Sequence, residues 1–378
     1  MKTVEIQVKN DGVKGKVITV SNHKGGCGKT ALCFSLAANI YEQGHSVLLV
    51  DMDQQGSLGK QFNVYGNEAQ YKNFTLSRMY MRLKEAEENN IAMNVPLFLC
   101  EDKVAIILGD HDLKNAVENA ERALDGEERV QELFIEIIEK YRQHFDYIIF
   151  DTPPVIEKVK SCIHAFAVSD CVVIPLDELD AVDEVDETVQ AIINYSQKSP
   201  NIIFAFTQYA TDPRGFAHWF DDKCSIEDLP QCIFPVNAKA LKRRIGHDER
   251  RNTEYRFMLK VFQDNMCKTG IPWNRDIAKC KYVGATEGNR EIIDDLCKEI
   301  MLKACKGAVE NICSVGVWLK KFALLKQYIS IERGFVTRNM SIKKSKAVFG
   351  SANKPAVQFE KEAAFKRMLL DRKAHNDR

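Results

Sequence analysis

No apolar run in this chain of 378 residues approaches the roughly 18 residues a membrane-spanning helix requires, so a transmembrane protein is not expected. The opening stretch, residues 1–16, is polar and charged and lacks the apolar core of a secretory signal. The twelve cysteines include no C-x-x-C pair. That spacing argues against a zinc site and a disulfide framework, and for a reducing cytoplasm. No internal repeat is evident. An excess of one charge is also missing overall, since 53 Lys and Arg face 53 Asp and Glu. The balance is not local, however. Residues 306–378 carry sixteen basic and six acidic side chains, a net of +10, and the rest of the chain carries −10. Such asymmetry predicts a basic end that faces a polyanion.

What is present is a phosphate loop. Val17, Ile18 and Val20 form an apolar, β-branched run that leads into Lys24-Gly25-Gly26-Cys27-Gly28-Lys29-Thr30. Leu32, Phe34, Leu36, Ala37 and Ile40 then continue in a helical pattern. Strand, glycine loop and helix together build an anion cradle, because glycines let successive backbone N–H groups converge on phosphate oxygens without Cβ interference. In such a loop Lys29 reaches the β- and γ-phosphates and the Thr30 hydroxyl ligates Mg²⁺. The ordinary G-x-x-x-x-G-K-[ST] pattern would place a glycine where His23 stands, and here Lys24 follows it.

Two acidic strand ends accompany the loop. Val47-Leu48-Leu49-Val50 runs into Asp51-Met52-Asp53, with Gln54-Gln55-Gly56-Ser57 as loop. Tyr147-Ile148-Ile149-Phe150 ends in Asp151, followed by Thr152-Pro153-Pro154. Four apolar residues closed by an aspartate describe a central parallel strand that presents a carboxylate at its C-terminal edge. Further strands are predicted at 16–22, 104–108, 172–175, 202–207 and 232–235, and helices at 30–43, 129–143, 183–196 and 287–303. The stretch 76–90 is charged and helix-prone. This alternation implies right-handed βαβ crossovers and a doubly wound, mostly parallel α/β sheet, with ligand chemistry at the carboxyl ends of the strands.

The motifs together resemble the ParA/MinD family of deviant Walker A P-loop ATPases, closest to the partition-type members. Residues 23–30 match x-K-G-G-x-G-K-[ST], and residues 51–56 match D-x-D-P-Q-G except that Gln54 replaces the proline. The resemblance spans roughly residues 16–305. It implies Mg-dependent ATP hydrolysis by a homodimer that ATP assembles, with Lys24 crossing to the partner's nucleotide. Lys24, Lys29 and Asp53 are the implied catalytic groups, Asp53 orienting the attacking water. Gly25, Gly26, Cys27, Gly28, Lys29, Thr30 and Ala31 are the implied phosphate contacts, and Pro235 and Val236 lie beside the adenine in relatives. Thr30, Asp51 and Asp151 are the implied Mg²⁺ residues.

The resemblance further implies non-specific DNA binding, to which Lys239, Lys242, Arg243, Arg244, Arg250 and Arg251 are candidates, a ParB-like activator protein, and a cytoplasmic, nucleoid-associated location. Residues 1–305 are expected to form the ATPase domain. Residues 306–378, a basic and mainly helical extension, have no counterpart in a minimal member. About 16 residues precede the first strand, so the N-terminal helix-turn-helix of larger plasmid partition ATPases, and its operator binding, are not expected. Two alternatives stay open: an ATPase of the same fold in a mobile-element or antiphage complex, binding a protein through the extension, and a MinD-like membrane-associated ATPase. Membrane attachment is the less expected.

Overall fold

The computed structural model describes residues 13–62, 71–88, 97–101, 103–154, 160–176, 181–198, 200–207, 265–267, 269–270 and 287–305. All of them belong to one of the two compact units into which the chain divides, the one made of Met1–Pro213 and Asn265–Val315. In chain order the strands and α-helices are β1 (Lys16–Val20), α1 (Lys29–Glu42), β2 (Val47–Asp51), α2 (Ser57–Gln61), α3 (Leu76–Met81), α4 (Leu83–Glu88), β3 (Phe98–Glu101), β4 (Val104–Ile107), α5 (Leu113–Ala123), α6 (Glu127–Tyr141), β5 (Tyr147–Asp151), α7 (Lys160–Val168), β6 (Cys171–Leu176), α8 (Ala181–Tyr195), β7 (Asn201–Phe206) and α9 (Glu287–Cys305).

The seven strands form one sheet in the order β3-β4-β2-β5-β1-β6-β7. Every pairing is parallel except β3 with β4, which is antiparallel with a register shift between Leu99 and Glu101. Parallel strands reconnect over a face of the sheet, so both faces become covered and the strands can be apolar throughout. Accordingly every residue of β2, β4, β5 and β6 is buried. Side chains alternate between the two faces. Val47, Leu49, Ile149, Val173 and Ile203 join α1 and α9 in one core, and Leu48, Val50, Ile148 and Phe150 join α3, α5, α6 and α7 in the other.

β1 lies between β5 and β6, and the chain crosses over it on both sides. This is the topological switch point where open α/β sheets bind ligands, outside the carboxyl ends of the strands. The loop from β1 to α1, the end of β2 and the end of β5 all open there.

The structure also departs from the sequence reading. β1 ends at Val20 rather than at 22; Ser21 and Asn22 stay fully buried against β6, the Ser21 N–H donating to the Val173 carbonyl and the Asn22 Nδ2 to the Pro175 carbonyl at 2.7 Å. The helix-prone stretch 76–90 is two short helices broken at Arg82. The antiparallel edge strand β3 and the helices α5 and α7 were not anticipated. The strand expected at 232–235, the basic cluster from Lys239 onward and the extension 306–378 lie outside the described residues. Among the described residues, no helix is long and apolar enough to cross a membrane.

Candidate nucleotide-binding site

The cradle depends on two glycines in the left-handed region, Gly26 with φ 82° and Gly28 with φ 84°. A Cβ is disfavoured at such angles. Gly28 is also the N-cap residue of α1, so the loop delivers its backbone N–H groups and the positive end of a 14-residue helix to one point. Gly25 and Gly26 are exposed at the rim, and Lys24 beside them is half-buried. Lys29 is only 7% exposed, and its Nζ donates to the Lys24 carbonyl at 2.7 Å. An ammonium has three donors, so with a long second contact to Cys27 Sγ at 3.8 Å donor capacity remains for phosphate oxygens.

Three buried side chains brace the loop, two of them from distant parts of the chain. Asn22 binds β6 through Pro175, and its Oδ1 accepts from the Lys24 N–H at 3.0 Å. Thr188, fully buried on α8, accepts from the His23 backbone N–H at 3.1 Å and lies 3.0 Å from His23 Nδ1. Thr207, just past β7, donates its hydroxyl to the Cys27 carbonyl at 2.6 Å. The sequence reading noted Thr207 only as part of a strand end and singled out neither Asn22 nor Thr188. For Asn22 and Thr207 the local signal is a short polar side chain just beyond a buried apolar strand; Thr188, inside α8, carries none.

Opposite the cradle stand two fully buried carboxylates. The β2–β5 register places Asp51 directly beside Asp151, yet their oxygens are used differently. Asp51 Oδ1 accepts from the Asp53 N–H at 3.1 Å, and its Oδ2 accepts from the Leu58 and Gly59 N–H groups at 3.0 and 3.3 Å. Asp51 therefore ties the following loop and the start of α2 to the sheet. Both oxygens of Asp151 are buried with no hydrogen-bond donor in bonding geometry. Burial pushes the Asp151 carboxyl up to about 7, with the Thr30 hydroxyl and the Lys29 ammonium only partly offsetting it. Burial, and then the neighbouring Asp151, raise Asp51 as well. Two carboxylates at this depth cannot both ionise cheaply unless a cation lies between or beside them.

The residues present fit Mg²⁺. The donor-free oxygens of Asp151, with the Thr30 hydroxyl close by, are the hard ligands that Mg²⁺ takes in small number while phosphate and water fill the remaining positions. Among the described residues no group of three His, Cys, Asp or Glu is arranged to hold a metal without such help.

Asp53 is half-buried at the entrance. Its Oδ1 accepts from the Gln55 N–H at 2.9 Å, and its carbonyl accepts from the Gly56 N–H. Gly109, after β4, sits under this turn. A Cβ there would come within 2.2 Å of the Asp53 carbonyl oxygen, so only glycine lets the Asp51–Asp53 backbone lie where it does. The structure thus gathers Lys24, Gly25 to Ala31, Asp51, Asp53 and Asp151 at one end of the sheet. Pro235 and Val236 lie outside the described residues.

Residues 15–202 match the family described as an AAA domain. Among curated proteins, an uncharacterised protein of Methanocaldococcus jannaschii is 28% identical over 212 residues, 51% of this chain and 73% of that protein. The chromosome partitioning protein ParA of Myxococcus xanthus is 29% identical over 187 residues, 47% of this chain and 59% of its own length. The crystal structure of a putative plasmid partition protein from Borrelia burgdorferi bound to AMPPNP superposes with a TM-score of 0.52 at 20% identity, covering 78% of this chain and 99% of that one. The chain belongs to the ParA-like P-loop ATPases. The ParA-like fold accounts for the parallel sheet and the placement of its deviant phosphate loop. The match to the Myxococcus ParA covers less than two thirds of that protein's length, so activity and partners are taken up below as proposals.

Proposed function

We propose that the chain is an Mg-dependent ATPase in which bound ATP joins two copies and hydrolysis releases them. The observation that carries this reading is the loop itself: Lys24 stands at the rim of a braced anion cradle, and its carbonyl is held by Lys29 Nζ. Phosphoryl transfer relies on positioning and charge neutralisation more than on covalent steps by the protein. In this reading the cradle amides and Lys29 hold the β- and γ-phosphates, and Asp53 orients water. Thr30 and Asp151 hold Mg²⁺, which supplies neutralising charge when bound. Asp51, its oxygens occupied by backbone N–H groups, orders the Asp53 loop and would add negative charge beside the bound Mg²⁺. Lys24 completes the pocket of the second copy.

The Myxococcus relative is named for chromosome partitioning, and the extension 306–378 carries the +10 charge. We accordingly propose that the paired form binds DNA without sequence preference and positions DNA or another cargo, and that a ParB-like protein stimulates hydrolysis. In this reading residues 1–305 form the ATPase domain and 306–378 the separate anchor. Binding of this kind falls steeply with salt as counterions are released. Sedimentation with DNA in parallel with anionic liposomes, with ATP or ADP, tests it. The expected result is DNA binding strengthened by ATP and weakened by salt. Binding to liposomes alone contradicts it, and binding to neither removes the DNA role while leaving the ATPase reading intact.

A further inference from the structure

We infer that Thr207 is a positioning residue for the phosphate cradle: its hydroxyl fixes the orientation of the Cys27–Gly28 peptide so that the Gly28 N–H faces the nucleotide's phosphates. The inference rests on the nucleotide-binding reading above. Thr207 is 6% exposed, and its hydroxyl lies 2.6 Å from the Cys27 carbonyl oxygen and 3.4 Å from the Leu176 carbonyl oxygen. A hydroxyl has one proton to donate, and the shorter contact takes it. Its own backbone N–H donates to Leu176 at 2.9 Å, so the sheet holds Thr207 in place before it holds anything else.

A trans peptide points its carbonyl and its N–H in opposite directions, and the described chain has no cis peptide. With the Cys27 carbonyl turned onto Thr207, the Gly28 N–H points away from Thr207, the direction in which we place the phosphates. Among the described residues no acceptor takes that N–H. Gly28 sits at φ 84°, and a glycine samples both signs of φ with little cost. Such a residue needs an external restraint if one orientation of its peptide is to dominate. The hydroxyl supplies that restraint. If it is removed, the Cys27 carbonyl loses the Thr207 hydroxyl, and the peptide is released to reorient toward another donor. The first donor within reach is Lys29 Nζ, which already approaches Cys27 Sγ at 3.8 Å. The cradle would lose an amide and, with it, part of the lysine.

The effect should therefore depend on how many phosphates the ligand carries. We expect Thr207→Val in the full chain to weaken ATP and ADP binding by roughly tenfold, the size expected for one hydrogen bond to a charged group. AMP, which lacks the β-phosphate, should change less than about twofold, and Thr207→Ser should restore ATP and ADP to within about threefold of the parent. A role confined to packing would instead lower the affinity for all three nucleotides together. Glycine-labelled NMR spectra give an independent readout: the Gly28 amide should shift on ADP addition in the parent and in Thr207→Ser, and not in Thr207→Val. Thr207→Ala carries the same expectations, so a misfolded valine variant does not end the test. ATP affinity in the valine or alanine variant within twofold of the parent, or equal losses for ATP and AMP, overturns the inference alone. A parent chain that bound neither ATP nor ADP would overturn the nucleotide-binding reading and this inference with it.

Discussion

The aspartates at the two ends of the sheet differ in burial and in what the fold supplies to them. At the end where the strands begin, Asp170 pairs with the buried Arg142 guanidinium and also accepts from the Val17 N–H at 2.9 Å. Asp146, at the same end, accepts from the Ser46 N–H and hydroxyl at 2.7 and 2.9 Å. At the end where the strands finish, Asp151 is more deeply buried, and neither of its oxygens has a donor in bonding geometry, the Thr30 hydroxyl lying only close by. One chemical group on one scaffold is thus satisfied at Asp170, Asp146 and Asp51, and left without a partner in bonding geometry at Asp151. A buried acid whose lone pairs are filled by the fold holds the fold together. A buried acid whose lone pairs are empty is held by the rest of the fold in readiness for a cation.

Breaking the satisfied end should cost the most. Arg142→Ala strands Asp170 and should destabilise the protein by about 3 kcal/mol, toward the lower bound for a broken buried pair because Asp170 is partly exposed. Chemical denaturation measures this, and the nucleotide affinity of the folded fraction should not change. At the other end, Asp53→Ala should lower turnover by roughly a hundredfold, the size seen when a single transition-state contact is lost, and ATP-bound pairs should accumulate. A hydrolysis rate equal to the parent's counts against its role in orienting water.

Asp151→Asn sharpens the comparison because stability and function should move in opposite directions. Asp151 is raised to about 7 from an ordinary 3.8, so its neutral form is favoured by folding. The stability it gives is present in full below about pH 4 and is lost as pH rises through 7. Replacing it with the neutral amide should therefore stabilise the ligand-free protein above pH 7 by about 2 kcal/mol. The gain should vanish near pH 4, and the thermal shift produced by Mg-ATP should disappear. Thermal melts across this pH range, with and without Mg-ATP, decide it. A loss of stability at pH 8 would mean that the carboxylate has a partner in the ligand-free protein.

The cradle and the two acidic strand ends were legible in the sequence because each is a local pattern. A strand buried on both faces shows as an apolar run, and the first polar residue after it marks the carboxyl edge. Val47 to Asp51 and Tyr147 to Asp151 are of this kind. The different fates of Asp51 and Asp151 were not legible, because they depend on where the Leu58 and Gly59 N–H groups point. The braces were hidden by distance along the chain: Thr207 reaches back 180 residues to Cys27, and Thr188 reaches 165 residues to His23. No periodicity reports such a pair. β3 escaped because four residues at an antiparallel edge carry too little pattern. The helix-prone stretch 76–90 broke because local propensity did not reveal the turn at Arg82, which ends α3 one residue before α4 begins.

The central claim is that Lys24 couples triphosphate to pairing, and light scattering tests it directly. With Mg²⁺ and a non-hydrolysable ATP analogue, the parent mass should double, whereas Lys24→Ala should bind the analogue and remain at the mass of one chain. A parent mass that is the same with and without the analogue, or a Lys24→Ala variant that pairs as readily as the parent, would contradict the account.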